Sequence, residues 1–389
     1  MVCRMKVRVN MRKKILSCIL FMVLLLTGCR QIIIPQAIPE YIRVTVSDTV
    51  FENKFYFQQL SESEQMIYKE VYQGLLDGRK EITVHGNDAD LIHDITNAVL
   101  LDFAELFWAD GGGNFTTYGD GYTVLQPTYL YVGEEKDKRQ TEIQNEVGRI
   151  ISSMPVGLNE YEKIKYIYEY LLETVTYVED APDNQNIYSS IIGKASVCAG
   201  YAKANQYLLE QLGISCIYVV GTAMGEEGED AHAWNIVKCN NQYYYIDVTW
   251  ADSAWIDGDG QMTGELLYDY LCCDEQSLSE THHPEEQYVY PRCSANDLNY
   301  YRINQMYYDV VNRSELLKVM YTTIEQKERC TIFKFSNSSL YNEAKKLFVD
   351  ELINKASQYL GELYRLQEVQ CTYEEQDELN KFVIYWLYQ

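Results

Sequence analysis

Two asparagines place the tightest limit on how this chain can fold. Residues 231–238 and 243–249 read as strands, the second rich in aromatic and β-branched residues. Between them, Cys239-Asn240-Asn241-Gln242 is a tight-turn sequence. With Asn240 and Asn241 as the loop, Cys239 faces Gln242, Trp234 faces Asp247 and His232 faces Thr249. His232 and Asp247 are then diagonal neighbours on one face of the hairpin, ~7–8 Å apart at the backbone and within side-chain reach. A loop one residue longer or shorter would put them on opposite faces. Asp230 and Asp252 are rival acids for the imidazole. Asp230 shares the strand of His232 and is expected to point away along it.

Upstream lies a cysteine in a setting that suits thiol chemistry. Residues 193–196 are small and flexible, and Tyr201, Ala204, Asn205, Leu208, Leu209 and Leu212 follow at helical spacing. Gly213 stands where a helix C-terminus needs positive φ. Cys198 is therefore expected in the first turn of a helix that ends near Leu212. The reactive species of cysteine is the thiolate, and an ordinary thiol titrates near ~8.5. Open backbone N–H groups and the positive helix end favour an anion there, and the N–H of Cys198 could face an oxyanion. A lone buried cysteine is otherwise a small apolar filler, and a lone strand histidine is commonly structural.

Together these segments resemble the transglutaminase-like superfamily, a branch of the papain-like thiol enzymes. The matching pieces are VCAGYAKA around Cys198, LLEQLGI, the glycine-ended YVVG, AHAWN around His232 and YYYIDVTWAD around Asp247. A preceding helix, VTYVED and IYSSIIGKAS also fit, so the resemblance spans about 158–274. It implies an α+β fold: a papain-like, transglutaminase-like core with the cysteine helix packed on an antiparallel sheet. It also implies Cys198 as nucleophile, His232 as base and Asp247 as the acid that orients it. Tyr177 and Tyr188, just upstream, are candidates for the second oxyanion donor. No calcium loop is visible, and neither metal nor cofactor is expected.

The start of the chain reads as an export signal. Arg12-Lys13-Lys14 precede an apolar run over 15–26, too short for an ordinary membrane span. Leu26-Thr27-Gly28-Cys29 resembles a bacterial lipobox, which implies cleavage before Cys29 and a lipid on its sulfur. Met11 is the expected start. Removing six basic residues in 1–28 from a chain of net charge −24 leaves −30. Such a surface repels nucleic acid and offers no polybasic membrane patch. The localisation expected is the outer face of a bacterial cell membrane, held there through Cys29.

Eleven cysteines are present. Those outside the signal, Cys29 and Cys198 are odd in number and scattered, which is not a disulfide framework. Cys272-Cys273 with His282-His283 lacks the ligand spacing of a structural zinc site, and a structural role is expected.

The domain reading is a signal over 1–28, a linker over 29–40, an α+β region over 41–154, the thiol domain over 155–290 and an αβ accessory domain over 291–389. Ser61 with Glu64 opens a helix to about residue 77, and Asn159 with Glu162 opens another. A strand is expected at 81–85, helices at 88–101 and 136–153, and a hairpin at 115–132 that turns at 119–121. The tail reads as αβαβ over 313–326, 330–336, 340–360 and 382–387.

The function expected is acyl transfer or hydrolysis on protein or cell-wall peptide amides. Transglutaminase, peptidase and amidase share this chemistry and differ in the acceptor. A binding or scaffold protein that has lost the chemistry on the same fold is the alternative.

Overall fold

The computed structural model describes residues 40–225, 228–252, 267–279 and 281–388. The expected signal, lipobox and Cys29 lie outside the described residues. No helix among the described residues is long and apolar enough to cross a membrane.

The N-terminal part runs α1 (Glu62–Leu76), β1 (Ile82–His85), α2 (Ala89–Asp102), β2 (Ala109–Tyr118), β3 (Tyr122–Tyr129) and α3 (Gly133–Ser153). Ser61 and Glu64 form the reciprocal cap that opens α1, satisfying two amides that the helix start leaves over. The three strands make an antiparallel sheet in the order β1-β3-β2. The hairpin turns at 119–121 as expected, with Gly121 at φ 87°.

The central part begins with α4 (Glu160–Thr174), capped by Asn159 and Glu162. Ile164, Ile167, Tyr168 and Leu171 form its buried stripe. Two short parallel strands, β4 (Thr176–Tyr177) and β5 (Ala195–Ser196), lead to α5 (Cys198–Gln211). Then come β6 (Cys216–Gly225), β7 (Gly228–Cys239), β8 (Gln242–Ile246), α6 (Val248–Asp252), α7 (Glu275–Leu278) and β9 (His282–Pro284). These strands form an antiparallel sheet in the order β8-β7-β6-β9. A single hydrophobic core runs from Phe51 in the N-terminal part to Leu298.

The tail holds α8 (Tyr300–Ile303), β10 (Tyr307–Tyr308), α9 (Arg313–Glu325), β11 (Cys330–Phe335), α10 (Ser338–Leu347), α11 (Ile353–Tyr364), β12 (Gln370–Gln376) and β13 (Lys381–Leu387). One wide turn, Phe348–Leu352, joins α10 to α11. The sheet order is β10-β11-β13-β12. Two of these strands are absent from the αβαβ reading. The strand β12 is an exposed edge of polar residues, so it carries no apolar alternation to betray it. A separate core from Tyr308 to Trp386 sits beneath this sheet.

The two cores meet at a buried charge cluster. Asp269 accepts from Lys334 Nζ at 2.8 Å, from Tyr301 Oη at 2.8 Å and from Lys381 Nζ. Burial opposes its charge, but the two ammonium groups more than offset this and hold the carboxyl below the usual range. Lys334 and Lys381 come from β11 and β13, so the tail grips the central part at one acid. Replacing Asp269 by Ala would leave two ammonium groups without their counter-charge, and should cost about 3–5 kcal/mol. Urea unfolding measures this, and a loss below about 1 kcal/mol would show that the cluster does not hold the parts together.

Candidate active site

Cys198 is the first residue of α5. Val197 before it is extended and gives no side-chain cap, so no side chain of the capping residue fills the first-turn amides. Gly200 lets this turn press against the preceding loop: a Cβ there would stand 1.9 Å from Ser196 Oγ and 2.9 Å from Asn184 O. The helix is also tied to the sheet. Asn205 Nδ2 donates to Asn235 Oδ1 at 2.9 Å, and Asn235 Nδ2 donates to Ala202 O at 3.0 Å. All these groups are buried, so the bonds fix the height of the thiol against β7.

The hairpin has the parity read from its sequence. Cys239 pairs with Gln242 and Asn235 with Ile246. Asn240 and Asn241 take φ of 50° and 63°, the double left-handed turn that matches strand twist. The second strand is shorter than expected, however, and stops at Ile246. Asp247 bonds Trp250 N through Oδ1 at 3.0 Å, and that bond turns the chain into α6. The Asp247 amide donates to Tyr270 O at 3.0 Å. Its side chain stays on the face of His232, and His232 Nε2 lies 2.6 Å from Asp247 Oδ2. The Cys198 side chain hydrogen-bonds the same ring, which leaves Nδ1 as the nitrogen facing sulfur. Thus Cys198, His232 and Asp247 form one connected row. Asp230 instead pairs opposite Ala223 farther along β7, and the side chain of Asp252 lies outside the described residues.

A fourth residue joins the row. His282 Nε2 stands 2.9 Å from the same Asp247 Oδ2, and His282 Nδ1 stands 2.8 Å from Thr281 Oγ1. The sequence reading gave this histidine a structural part. Its only local signal was a place in a short His-His-Pro segment, which says nothing of a partner 35 positions away. Gly221 brings it in, because a Cβ at Gly221 would meet His283 O at 2.2 Å. With glycine there, β9 lies flat on β6 and delivers His282. Trp234 and Trp250 flank both imidazoles, with ring centroids 4.5–6.2 Å apart, and thin out the water around the row.

Electrostatics follow from this packing. Burial alone would lower the proton affinity of His232. The charge and hydrogen bond of Asp247, with the hydrogen bond of Cys198, instead raise its pKa to about 10. Burial would raise Asp247, yet His232 and His282 hold it well below the usual carboxylate range.

The two candidate oxyanion tyrosines are carried by the segment that leads into α5. Tyr177 sits in β4 opposite Ser196. Tyr188 gives its hydroxyl to Glu142 on α3 at 2.6 Å. His232, Asp247 and His282 are also the one group with donor atoms close enough for a metal among the described residues. Their 2.6 and 2.9 Å contacts have the spacing of N–H···O bonds. Cys272 and Cys273 are not part of that group. All eight cysteines of the described residues are unbridged.

Residues 154–248 match the family model described as the transglutaminase-like superfamily. This stretch is similar to a transglutaminase-like domain. The match spans all three residues of the row, while His282 lies beyond it. No curated protein matches the chain. Among solved structures, a TGase aligns at 16% identity over 43% of this chain and 50% of that one, with a TM-score of 0.25. A candidate cysteine protease from Cytophaga hutchinsonii aligns at 14% identity over 36% of this chain and 61% of that one, TM-score 0.25. Menin, solved with its binding site for the Mixed Lineage Leukemia protein, aligns at 17% identity over 60% and 57%, TM-score 0.24. The chain thus spans between half and about three fifths of these structures.

His282→Leu removes one of the two imidazoles on Asp247 Oδ2, a buried carboxylate oxygen. The expected loss is about 1.5–3 kcal/mol, the worth of a hydrogen bond to a charged group. Denaturant midpoints measure it, and an unchanged midpoint would mean that Asp247 needs only His232.

Proposed function

We propose that this chain is a thiol-dependent acyl transferase or hydrolase acting on peptide or protein amides. The observation that carries the reading is the hydrogen-bonded row Cys198–His232–Asp247 at the meeting of a helix start and a hairpin. The raised proton affinity of His232 favours transfer of the thiol proton to its ring, which leaves a thiolate beside an imidazolium. Sulfur attacks the amide carbonyl, and the carbonyl π electrons move onto oxygen. The backbone N–H of Cys198, at the open first turn of α5, is the donor to that oxyanion in this reading. The C–N bond then breaks, His232 returns a proton to the leaving amine, and a thioester remains. Asp247 holds the ring with Nε2–H toward itself and Nδ1 toward sulfur. A lysine amine that attacks the thioester completes transfer; water completes hydrolysis. Acidic body charge and a peptide substrate fit a protein working outside the cell, and we include lipid anchoring at Cys29 in the proposal.

Two measurements test this. Incubation with a peptide library, with and without an added primary amine, should give amine-adducted or cleaved products by mass spectrometry. Cys198→Ala and His232→Ala should each abolish them. Products that persist in both variants, or their absence from the wild type together with ordinary thiol alkylation, would favour a binding protein. Separately, Cys29→Ala should shift the protein from the membrane fraction to the soluble fraction of an expressing bacterium; unchanged partitioning would overturn the anchor.

A further inference from the structure

A cavity of about 310 Å³ opens beside the cysteine helix, between the end of α2, residues 183–186 and α5. Leu100, Phe103, Phe107 and Leu130 give it apolar walls, and Asn184 and Lys203 add polar groups. Lys203 is the unusual member. It is half-buried, and no carboxylate among the described residues forms an ion pair with its ammonium. Its one described neighbour of note is the ring of Tyr218, 5.6 Å from Nζ. Burial lowers its pKa to about 8, so the charge persists at neutral pH at a cost that no anion of the described residues offsets. Two acids also reach the cavity. Asp183 is already held by Arg139 Nη1 at 2.9 Å and by the Tyr131 hydroxyl. Asp110 is occupied by the Gly112 amide at 2.8 Å.

Lys203 lies five positions after Cys198 on α5. Five positions is about 140° around a helix of 3.6 residues per turn, so the two side chains leave α5 on different faces and approach each other only through a shared neighbour. The half-buried Cys198 packs against the small cluster of Ala202, Tyr218 and Ala233. Tyr218 is that neighbour: the Lys203 ammonium stands by its ring, and Cys198 is close enough to act on its hydroxyl electrostatically. We propose that Lys203 and this cavity form a carboxylate-binding subsite. It takes an acidic group of the acyl donor while the scissile carbonyl sits at Cys198, and the apolar walls take the aliphatic stem between them. The inference rests on Cys198 being the nucleophile. It adds a substrate class: amides that carry a free carboxylate a few bonds from the reacting carbon.

A set of alkylating rulers tests it without relying on turnover. N-iodoacetyl derivatives of glycine, β-alanine and γ-aminobutyrate place a carboxylate at rising distance from the carbon that sulfur attacks; their carboxamides are neutral matches. Second-order rates at Cys198 are read by mass spectrometry of the full chain. At one length the acid should react about tenfold faster than its amide, the worth of one charge-assisted hydrogen bond. Lys203→Met should abolish that preference and Lys203→Arg should keep it. Lys203→Gln serves as a second neutral variant if the methionine form does not fold. Equal rates for acid and amide at every length, or the same preference in the neutral variants, would overturn the subsite. A Cys198 that resists every reagent would overturn the nucleophile and the subsite together, whereas a clear ruler effect without turnover on any amide would support the subsite and count against the catalytic reading.

Discussion

Everything in the centre of this molecule turns on one buried carboxylate oxygen. Asp247 Oδ2 receives two imidazole nitrogens, at 2.6 and 2.9 Å, in a place with almost no water. A charge there is tolerable only because it is shared. His232 and His282 each aim a ring nitrogen at it, and Trp250 N donates to the other oxygen. The low dielectric that makes an unpaired charge costly also strengthens each of these bonds. The result is an acid that stays ionised and a ring that can face only one way.

The surrounding scaffold serves this geometry by close approach. Two glycines matter because of what a methyl group would strike. At Gly200 it would strike the loop that leads into the cysteine helix, and at Gly221 the backbone of β9. The first brings the thiol turn down onto its support; the second admits the second histidine. The Asn205–Asn235 pair then ties helix to strand, so sulfur and imidazole are carried by elements that cannot slide past one another.

How much of this could be read from the residues follows from what was local. The hairpin parity was legible because two adjacent asparagines set the loop length and strand pairing does the rest. The two capping boxes and the α5 start were legible for the same reason: each is a pattern within a few residues. The early end of β8 was hidden, because Asp247 leaves the strand through a bond to Trp250, and the residues there have strand-like side chains. His282 was hidden because its partner is distant and the closeness is created by a glycine on another strand. Nothing local sets Lys203 apart in the sequence, since only the packing of α2 and residues 183–186 around it leaves its ammonium without an ion pair among the described residues.

The grip of Lys381 on Asp269 has a consequence for the order of events in the cell. The two residues lie 112 positions apart, and the acid is next to Tyr270, whose carbonyl holds the Asp247 amide. A ribosome delivers the thiol helix and hairpin long before it delivers the lysine that steadies the strand behind them. The row Cys198–His232–Asp247 therefore lacks this support from behind until residue 381 has been made and has paired with Asp269.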